Sequence, residues 1–173
     1  MASELRVDKI IPTTGVPTGG GGGIVQIKYA IKNGTQSISS VGYSDTPPDV
    51  SGLSVSITPK FSTSKILVQV NIGCHGTTGN AANTFRIYRG STNITVTSTN
   101  VDNRHGATVF YNSNNTAMGT PASFSVLDSP ATTSATTYKV TGFTNGGTLY
   151  INRLPGDNSW NTVSTITVME VSA

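Results

Sequence analysis

The sequence predicts an all-β protein, an antiparallel β-sandwich of jelly-roll type, and three observations predict it. Apolar residues alternate with polar ones at a period of two, which is the pattern of strands with one buried face. Turn signals rich in glycine, asparagine and proline separate these runs at intervals of roughly 8–15 residues, a spacing typical of sandwiches and jelly rolls. No window of about a dozen residues has the apolar spacing of three and four that a helix needs. Residues 24–173 are therefore expected to form one sandwich domain.

The composition supports a folded domain with a neutral surface. Of the 173 residues, 11% are charged, against about a quarter in average soluble domains. Threonine, valine and isoleucine are abundant instead, as in folded β proteins. The net charge of +3 is scattered, which predicts no nucleic-acid partner. No apolar run approaches the ~20 residues of a membrane helix, and the N-terminus lacks a signal-peptide core, so we expect synthesis in the cytoplasm and no membrane insertion.

The predicted strands, about eight to ten in all, follow one another from residue 24 onward. The first has one apolar face, which contains Ile27 and Tyr29. Asn33-Gly34 then predicts a two-residue hairpin, and Pro59 ends the next strand. The longest alternation of the chain follows, at Ile66, Val68, Val70, Ile72 and Cys74.

The later strands are predicted by the same alternation. Residues 89–92 and 145–147 are turn signals, and the final strand is predicted at residues 164–171. The strands between contain Phe85 and Ile87, Ile94 and Val96, Val109 to Tyr111, Phe124 and Val126, Tyr138 and Val140, and Leu149 and Ile151.

The N-terminal 23 residues differ from the rest of the chain. Residues 1–18 contain one short strand-like stretch, too short to fold alone, which predicts an arm that docks on a partner by strand addition. Its apolar residues are the candidate anchors: Leu5, Val7, Ile10 and Ile11. Residues 19–23 are all glycine, whose backbone freedom predicts a hinge: Gly19, Gly20, Gly21, Gly22 and Gly23.

Three long loops rich in polar residues are the candidate binding surfaces, at residues 74–83, 97–108 and 112–120. Aromatic side chains next to asparagine and aspartate are suited to stacking on sugars, which selects Tyr111 and Trp160. Arg104 and His105 lie in a loop beside glycine and are further candidate contacts. Trp160 has an alternative role, as a cover for one end of the core or as a subunit contact.

The sequence predicts no catalytic residues, no metal and no cofactor. Cys74 is the only cysteine, and it is expected to be a buried apolar residue at a strand end. His75 and His105 are expected in surface loops and lack the ligand spacing of a zinc site, although the histidines of symmetry-related copies could meet on a trimer axis. The few carboxylates are spread along the chain, so a glycosidase pair would depend on the fold to bring them together.

Several segments together resemble a known group of proteins. The opening residues 3–15, Ser-Glu-Leu-Arg-Val-Asp-Lys-Ile-Ile-Pro-Thr-Thr-Gly, are followed by the glycine run and Ile-Val-Gln at 24–26. Residues 52–59 and 64–68, residues 127–140 and the closing residues 164–171 continue the pattern in the same order. In these segments the chain resembles small structural, tail-fibre-like virion proteins of marine and cyanobacterial tailed phages. The resemblance implies a virion protein, often trimeric, with no catalytic residues to carry over.

The expected function is therefore that of a bacteriophage virion structural protein. Residues 1–18 would anchor it, and the sandwich would be displayed on the particle surface as a fibre or a capsid decoration that aids host attachment. The expected partners are other virion proteins of tail or capsid, further copies of the chain in a homotrimer, and a host surface glycan. Two alternatives remain open, namely a carbohydrate-binding receptor module and a polysaccharide-degrading enzyme.

Overall fold

The computed structural model describes residues 23–43, 46–95, 106–111, 120–154 and 157–172, and for residues 157–160 it describes the backbone. Every regular element in these ranges is a β-strand. The strands are β1 (Ile24–Lys32), β2 (Gln36–Ser39), β3 (Asp49–Ile57), β4 (Lys65–Gly76), β5 (Ala82–Arg89), β6 (Thr92–Asn93), β7 (Thr108–Tyr111), β8 (Thr120–Asp128), β9 (Thr136–Thr144), β10 (Thr148–Ile151), β11 (Arg153–Leu154), β12 (Asp157–Asn161) and β13 (Ser164–Val171).

The front sheet is built around β4. β8 pairs with one edge of β4, while β13 and β10 pair one after the other with the opposite edge. β13 lies along Lys65 to Asn71 and β10 along Cys74 to Gly76, so together they form one interrupted strand. β1 pairs with β13, and β2 pairs with β10, so β1 and β2 form a second interrupted strand at the edge of the sheet.

The back sheet is built around β9 and β5, and all of its pairings are antiparallel. β9 pairs with β3 on one edge and with β5 on the other. The far edge of β5 is shared by β6, which lies beside Tyr88 and Arg89, and by β7, which lies along Ala82 to Phe85. β6 and β7 therefore form the interrupted edge strand of this sheet.

The topology is that of a jelly roll. Counting each interrupted strand once leaves four strands in each sheet, and β11 with β12 forms a separate hairpin. Numbered along the chain, the strands run in the order 1-8-3-6 in front and 2-7-4-5 behind. This is the eight-stranded order of two Greek keys wrapped into a sandwich. The predicted fold class is confirmed. The described residues contain thirteen short strands instead of eight to ten, because three of the eight are interrupted and the β11–β12 hairpin adds two more.

The core lies between the two sheets. Phe85 in β5 stacks on Phe110 and on Phe124, with ring centres 6.3 Å apart in each pair, and so joins the back sheet to the front sheet. Gly142 of β9 pairs with Phe85 of β5. A Cβ at residue 142 would lie 2.9 Å from the Phe85 ring, so the absence of a side chain leaves room for it. Fully buried aliphatic side chains surround these rings: Leu53, Ile66, Val68, Ile87, Val140, Leu149, Ile151, Ile166 and Val168.

Two features of β1 differ from the sequence interpretation. The predicted Asn33-Gly34 hairpin is wrong, because β1 and β2 pair with successive parts of the neighbouring strand and not with each other. The apolar face of β1 also points away from the core. Ile27 and Tyr29 are 53% and 68% exposed, whereas Lys28 pairs with Val168 on the inward side.

The sandwich has two distinct ends. At the first, which we call the start end, Ser172 N donates to Gly23 O at 3.0 Å and Gly23 N donates to Ser172 Oγ at 3.2 Å. At the other, the loop end, β4 finishes near the beginnings of β5 and β8 and the end of β7. The stretch of β4 from Lys65 to Cys74 separates the ends by about 30 Å at ~3.3 Å per residue. No helix in the described residues is long and apolar enough to cross a membrane.

Candidate functional site

One residue, Asn152, holds the break in the second strand of the front sheet. It is fully buried and adopts a φ of 60°, a left-handed conformation that asparagine tolerates better than most residues. Its backbone N–H donates to Gly73 O at 2.8 Å and continues the ladder of β10. Its side-chain amide donates to Lys32 O at 2.7 Å and Gly34 O at 3.1 Å, and its Oδ1 accepts from Ser164 Oγ at 2.6 Å. The side-chain amide of Asn152 thus joins the break between β10 and β13 to the break between β1 and β2.

Between β10 and β13 the chain leaves the front sheet in an excursion that contains the β11–β12 hairpin, and a pocket lies where this excursion begins. The cavity has a volume of about 370 Å³. Gly73 is required in its wall, because a Cβ there would overlap the hydroxyl of Thr162. The lining residues come from β4, the start of β8 and the excursion: Gly73, Cys74, Thr120, Pro121, Arg153, Leu154, Asn161 and Thr162.

Cys74 lines the pocket, but its thiol is buried in the core and is unreactive. Its Sγ–H donates to Thr120 O at 2.9 Å, and the side chain is 2% exposed. Burial raises the pKa of the thiol to about 12, although a backbone hydrogen bond with Ala122 acts in the opposite direction. Because the thiolate is the nucleophilic form, Cys74 is protonated and unreactive at neutral pH. Its position at a strand end, as a buried apolar residue, was predicted from the sequence.

The polar groups at the pocket are suited to binding. The Arg153 guanidinium lies over the Tyr150 ring, 4.3 Å from its centre, and this stacking fixes its direction. Asn161 and Thr162 are exposed beside it and offer amide and hydroxyl groups. Pro121 adds an apolar surface on the β8 side. Among the described residues, the lining side chains include no histidine or carboxylate to act as a base.

The predicted glycan contacts are placed only in part. Tyr111 ends β7 at the loop end and is 64% exposed, as a contact residue requires. Trp160 lies in β12, next to Asn161 of the pocket, but its side chain is outside the described part of the structure. Arg104 and His105 also lie outside the described residues. The contact role of these residues therefore stays a prediction.

The predicted anchor and hinge precede the described part of the chain. The four anchoring residues, Leu5, Val7, Ile10 and Ile11, lie outside the described residues, as do Gly19, Gly20, Gly21 and Gly22. Gly23 is the first described residue, and it is exposed beside β13 at the start end. The arm and the hinge stay predictions.

Glu170 is a buried carboxylate at the start end. It accepts hydrogen bonds from Gln26 Nε2 at 2.6 Å, from Lys60 N at 2.7 Å and from Phe61 N at 3.2 Å. Burial alone would raise the pKa of Glu170, but these hydrogen bonds outweigh it and hold the pKa below its ordinary value. The charged carboxylate therefore ties the segment after β3 to the end of β13.

A second polar cluster joins the two sheets near the same end. Arg89 Nη1 donates to both carboxylate oxygens of Asp128, at 2.9 and 2.8 Å. Tyr138 Oη donates to Asp128 Oδ2 at 2.7 Å. Burial, together with the nearby Asp128 carboxylate, raises the pKa of Tyr138. This cluster links β5 and β9 of the back sheet to β8 of the front sheet.

The described carboxylates have structural partners. Besides Glu170 and Asp128, Asp49 pairs with Lys139 at 2.9 Å on the surface of the back sheet. Within the described residues, no group of three or more histidine, cysteine, aspartate or glutamate side chains could hold a metal ion. The expectation of a surface His75 is wrong, because this residue lies in β4 and is 1% exposed.

Sequence reasoning missed the pocket and the residue that creates it. Arg153 and Asn152 directly follow the predicted strand that ends at Ile151, and nothing in the alternation marks them. The available signal was weak, since an asparagine after a strand tolerates left-handed backbone but more often marks a simple turn. Which carbonyls an Asn152 amide reaches depends on the pairing of β1 and β2, which lie more than a hundred residues earlier.

Neither a protein-family model nor a curated protein matches the sequence. Among solved structures, the chain is similar to one of infectious bursal disease virus, Gt strain, with 12% identity and a TM-score of 0.43 over 93% of this chain and 44% of that chain. It is also similar to the VP2 subviral particle of infectious bursal disease virus, with 12% identity and a TM-score of 0.42 over 94% of this chain and 44% of that chain. This chain thus spans less than half the length of either. These identities and TM-scores are too low to support an inference about function. The strand order itself defines the class of the fold, an eight-stranded jelly roll.

Proposed function

We propose that this protein is a structural component of a bacteriophage virion, a fibre or capsid-decoration module that aids attachment to the host. Residues 1–18 anchor it to other virion proteins of tail or capsid, and residues 19–23 act as the hinge. The jelly roll is displayed at the particle surface as a homotrimer. The protein acts without membrane insertion, nucleic acid or cofactor.

The observation that carries this proposal is the separation of the start end from the loop end. Gly23, to which the arm connects, lies beside Ser172 at one end of the sandwich. The pocket and the exposed Tyr111 lie toward the opposite end, beside Cys74 and Ala82. An anchor held before Gly23 therefore directs the pocket and Tyr111 outward from the particle.

The buried chemistry of the sandwich also supports a structural role. Glu170 and the Arg89–Asp128–Tyr138 cluster use their charges to fasten strands to one another. Charge-assisted hydrogen bonds of this kind are among the stronger ones in proteins. They stabilise a display domain that has to survive outside the cell.

Deletion of residues 2–18 from the phage gene tests the anchor. We expect the shortened protein to be absent from purified particles, because its docking strand is missing, while its circular dichroism and melting temperature match those of the full chain. The control replaces Leu5 and Val7 with serine in the full-length chain, which should reduce incorporation without shortening the arm. Normal incorporation of the deletion variant would contradict the proposed anchor.

A carbohydrate-binding receptor module is the second candidate, and the pocket favours it. The stacked Arg153–Tyr150 pair and the exposed Asn161 and Thr162 are the groups that this role would use. We expect Arg153→Ala and Trp160→Ala to weaken binding on a glycan array and adsorption to host cells. Phe61→Ala, at an exposed aromatic of the start end away from the pocket, is the matched control. Unchanged adsorption of both pocket variants would argue against this candidate.

The prediction that the chain is not an enzyme has its own test. We expect no release of reducing sugar when the purified full-length protein is incubated with host polysaccharide. Release that is lost when Asp157 or another acid is replaced would overturn this prediction in favour of the polysaccharide-degrading alternative.

A further inference from the structure

The outward face of the front sheet has an apolar row that crosses all four of its strands. Ile27 of β1 pairs with Met169 of β13, Met169 pairs with Leu67 of β4, and Leu67 pairs with Leu127 of β8. Residues paired across a sheet lie on the same face, so these four side chains form a continuous line. Leu127 and Ile27 at its two ends are 59% and 53% exposed.

The β1 side of the same face widens this row. Tyr29 and Ile31, two and four residues beyond Ile27, are 68% and 50% exposed. Ile24, at the start end, is 58% exposed. Scattered single exposed apolar residues are ordinary on a protein surface, but a contiguous patch marks an interaction site. We call the outward face of β1, β13, β4 and β8 the front face.

The outward face of the back sheet shows that this pattern is not general to the surface. Where that face is exposed, its polar groups interact with one another, as in the 2.6 Å hydrogen bond between Ser56 and Thr137. Lys139 pairs there with Asp49. The exposed apolar residues of the back sheet, Val109 and Tyr111, lie together on its edge strand β7, so among the described residues an apolar row that crosses a whole sheet is found on the front face.

The charges of the front face indicate its occupant. Lys65 is the one charged side chain among the paired positions of this face on the four strands, and it donates to Ser129 Oγ at 2.7 Å. With a single cation, the face does not strongly repel a copy of itself, and it lacks the cluster of cations that binds phosphate groups of nucleic acid or lipid. A second identical face is thus chemically complementary to it.

The size of the front face fits an interface between copies. Four strands spaced by about 4.8 Å, over about seven residues of ~3.4 Å each, give a flat footprint of roughly 450 Å². Protruding side chains raise the accessible area above this footprint, toward the ~800 Å² that each partner buries in an interface of ordinary size.

We propose that copies of this chain associate through their front faces, with the Ile27–Met169–Leu67–Leu127 row at the contact. This deepens the proposed function, because it names the surface through which the displayed module multiplies. Closed symmetry brings identical faces around one axis, and repetition of the pocket around that axis increases avidity for a repeated ligand.

Analytical ultracentrifugation of the full-length protein tests this proposal. We expect the wild-type chain to form dimers or trimers at a concentration where Leu127→Lys and Ile27→Lys variants are monomeric, with a dissociation constant raised at least about tenfold. Val109→Lys, at a 45% exposed valine of the back sheet, should associate like wild type. A wild-type chain that is monomeric at every concentration would overturn the proposal, as would equal weakening by all three substitutions.

Cross-linking locates the contact independently of any loss of folding. Gln69→Cys lies in the middle of the front face, between Thr167 and Ser125, and Ser54→Cys lies on the exposed side of β3. The native Cys74 is buried and does not compete. Mild oxidation should link Gln69→Cys copies and leave Ser54→Cys copies unlinked. The reverse result would place the contact on the back sheet and refute the front face. Because this assay uses purified protein, its failure is distinguishable from a failure of particle incorporation.

Discussion

Each sheet contains an interrupted strand whose two halves come from different parts of the chain. The β10–β13 interruption and the β6–β7 interruption differ in position, since one lies inside its sheet and the other at an edge. In the front sheet, the break between β10 and β13 lies between two neighbouring strands and is held by the fully buried Asn152. In the back sheet, the break between β6 and β7 lies at an edge. There, Ile94 N donates to Ile87 O, Ala107 N donates to Phe85 O, and the Thr95 hydroxyl accepts from Ile87 N at 3.4 Å. The inner break thus depends on one fully buried side chain that satisfies two backbone carbonyls, whereas the described contacts across the edge break are mostly between backbone groups.

The largest expected effect is that of Asn152→Ala, which removes the buried amide. Two backbone carbonyls and a serine hydroxyl lose their partner, and alanine is strained at a positive φ, so we expect the free energy of unfolding to fall by about 3–4 kcal/mol. Asn93→Ala, at the edge interruption, removes hydrogen bonds to Thr95, its neighbour two residues away, and should cost about 1 kcal/mol. Urea denaturation measures the free energy of unfolding of both variants. Equal losses would show that the position of the break, inside a sheet or at its edge, does not matter.

Gly73→Ala should have the next largest effect. The added methyl group would overlap the Thr162 hydroxyl near the end of the excursion, which forces the excursion away from β4 and costs about 2 kcal/mol. Gly34→Ala is the matched control, because nothing lies within 4 Å of a Cβ there. Thermal melting compares the two variants, and a Thr162→Ala change added to Gly73→Ala should recover part of the loss. If Gly73→Ala is as stable as Gly34→Ala, the close approach is unimportant.

Acid should weaken the start end of the front sheet through Glu170. Its folded pKa lies below the ordinary value of 4.5, so the carboxylate stabilises the fold above that pH, and this stabilisation is lost as pH falls through the folded pKa. Glu170→Gln keeps one acceptor oxygen for the Lys60 and Phe61 amides but loses the acceptor for Gln26 Nε2, and it should cost about 1 kcal/mol at pH 7. The free energy of unfolding, measured from pH 7 to pH 3, should fall more steeply for wild type than for the variant. Parallel curves would contradict this assignment.

The smallest effect is expected on the exposed surface of the back sheet. Asp49→Asn breaks the ion pair with Lys139, in which the Asp49 side chain is 54% exposed. Solvent and salt screen such pairs, so the free energy of unfolding should change by no more than about 0.5 kcal/mol, and less still at high salt. A loss of stability comparable to that of Asn152→Ala would contradict the expected difference between buried and exposed polar contacts.

The fold was predictable because its signals are local. The alternation at Ile66 to Cys74 predicted the central strand, and the last strand was predicted with the bounds that it has, Ser164–Val171. Pro59 follows the end of β3, as predicted. Each of these signals depends on residues that are neighbours in the chain, and burial of one face is sufficient to fix them.

The sequence interpretation is wrong or incomplete where residues far apart in the chain determine the structure. Asn33-Gly34 has the composition of a hairpin, yet the pairing of β1 with β13 overrides it. The apolar side of β1 gave no sign of facing outward, because an alternation has the same pattern whichever side is buried. The pocket requires Gly73, Thr162 and Asn152 to meet across the fold, and their separation along the chain hides this from the sequence.

The position of the final strand has a consequence for how the protein is made. β13 lies between β1 and β4, so among the described residues β1 has no ladder partner in the front sheet until β13 is synthesised. During translation β1 therefore waits for a partner some 140 residues away, as in the pairing of Gln26 with Glu170. The front layer closes only when this late strand inserts between two strands made much earlier.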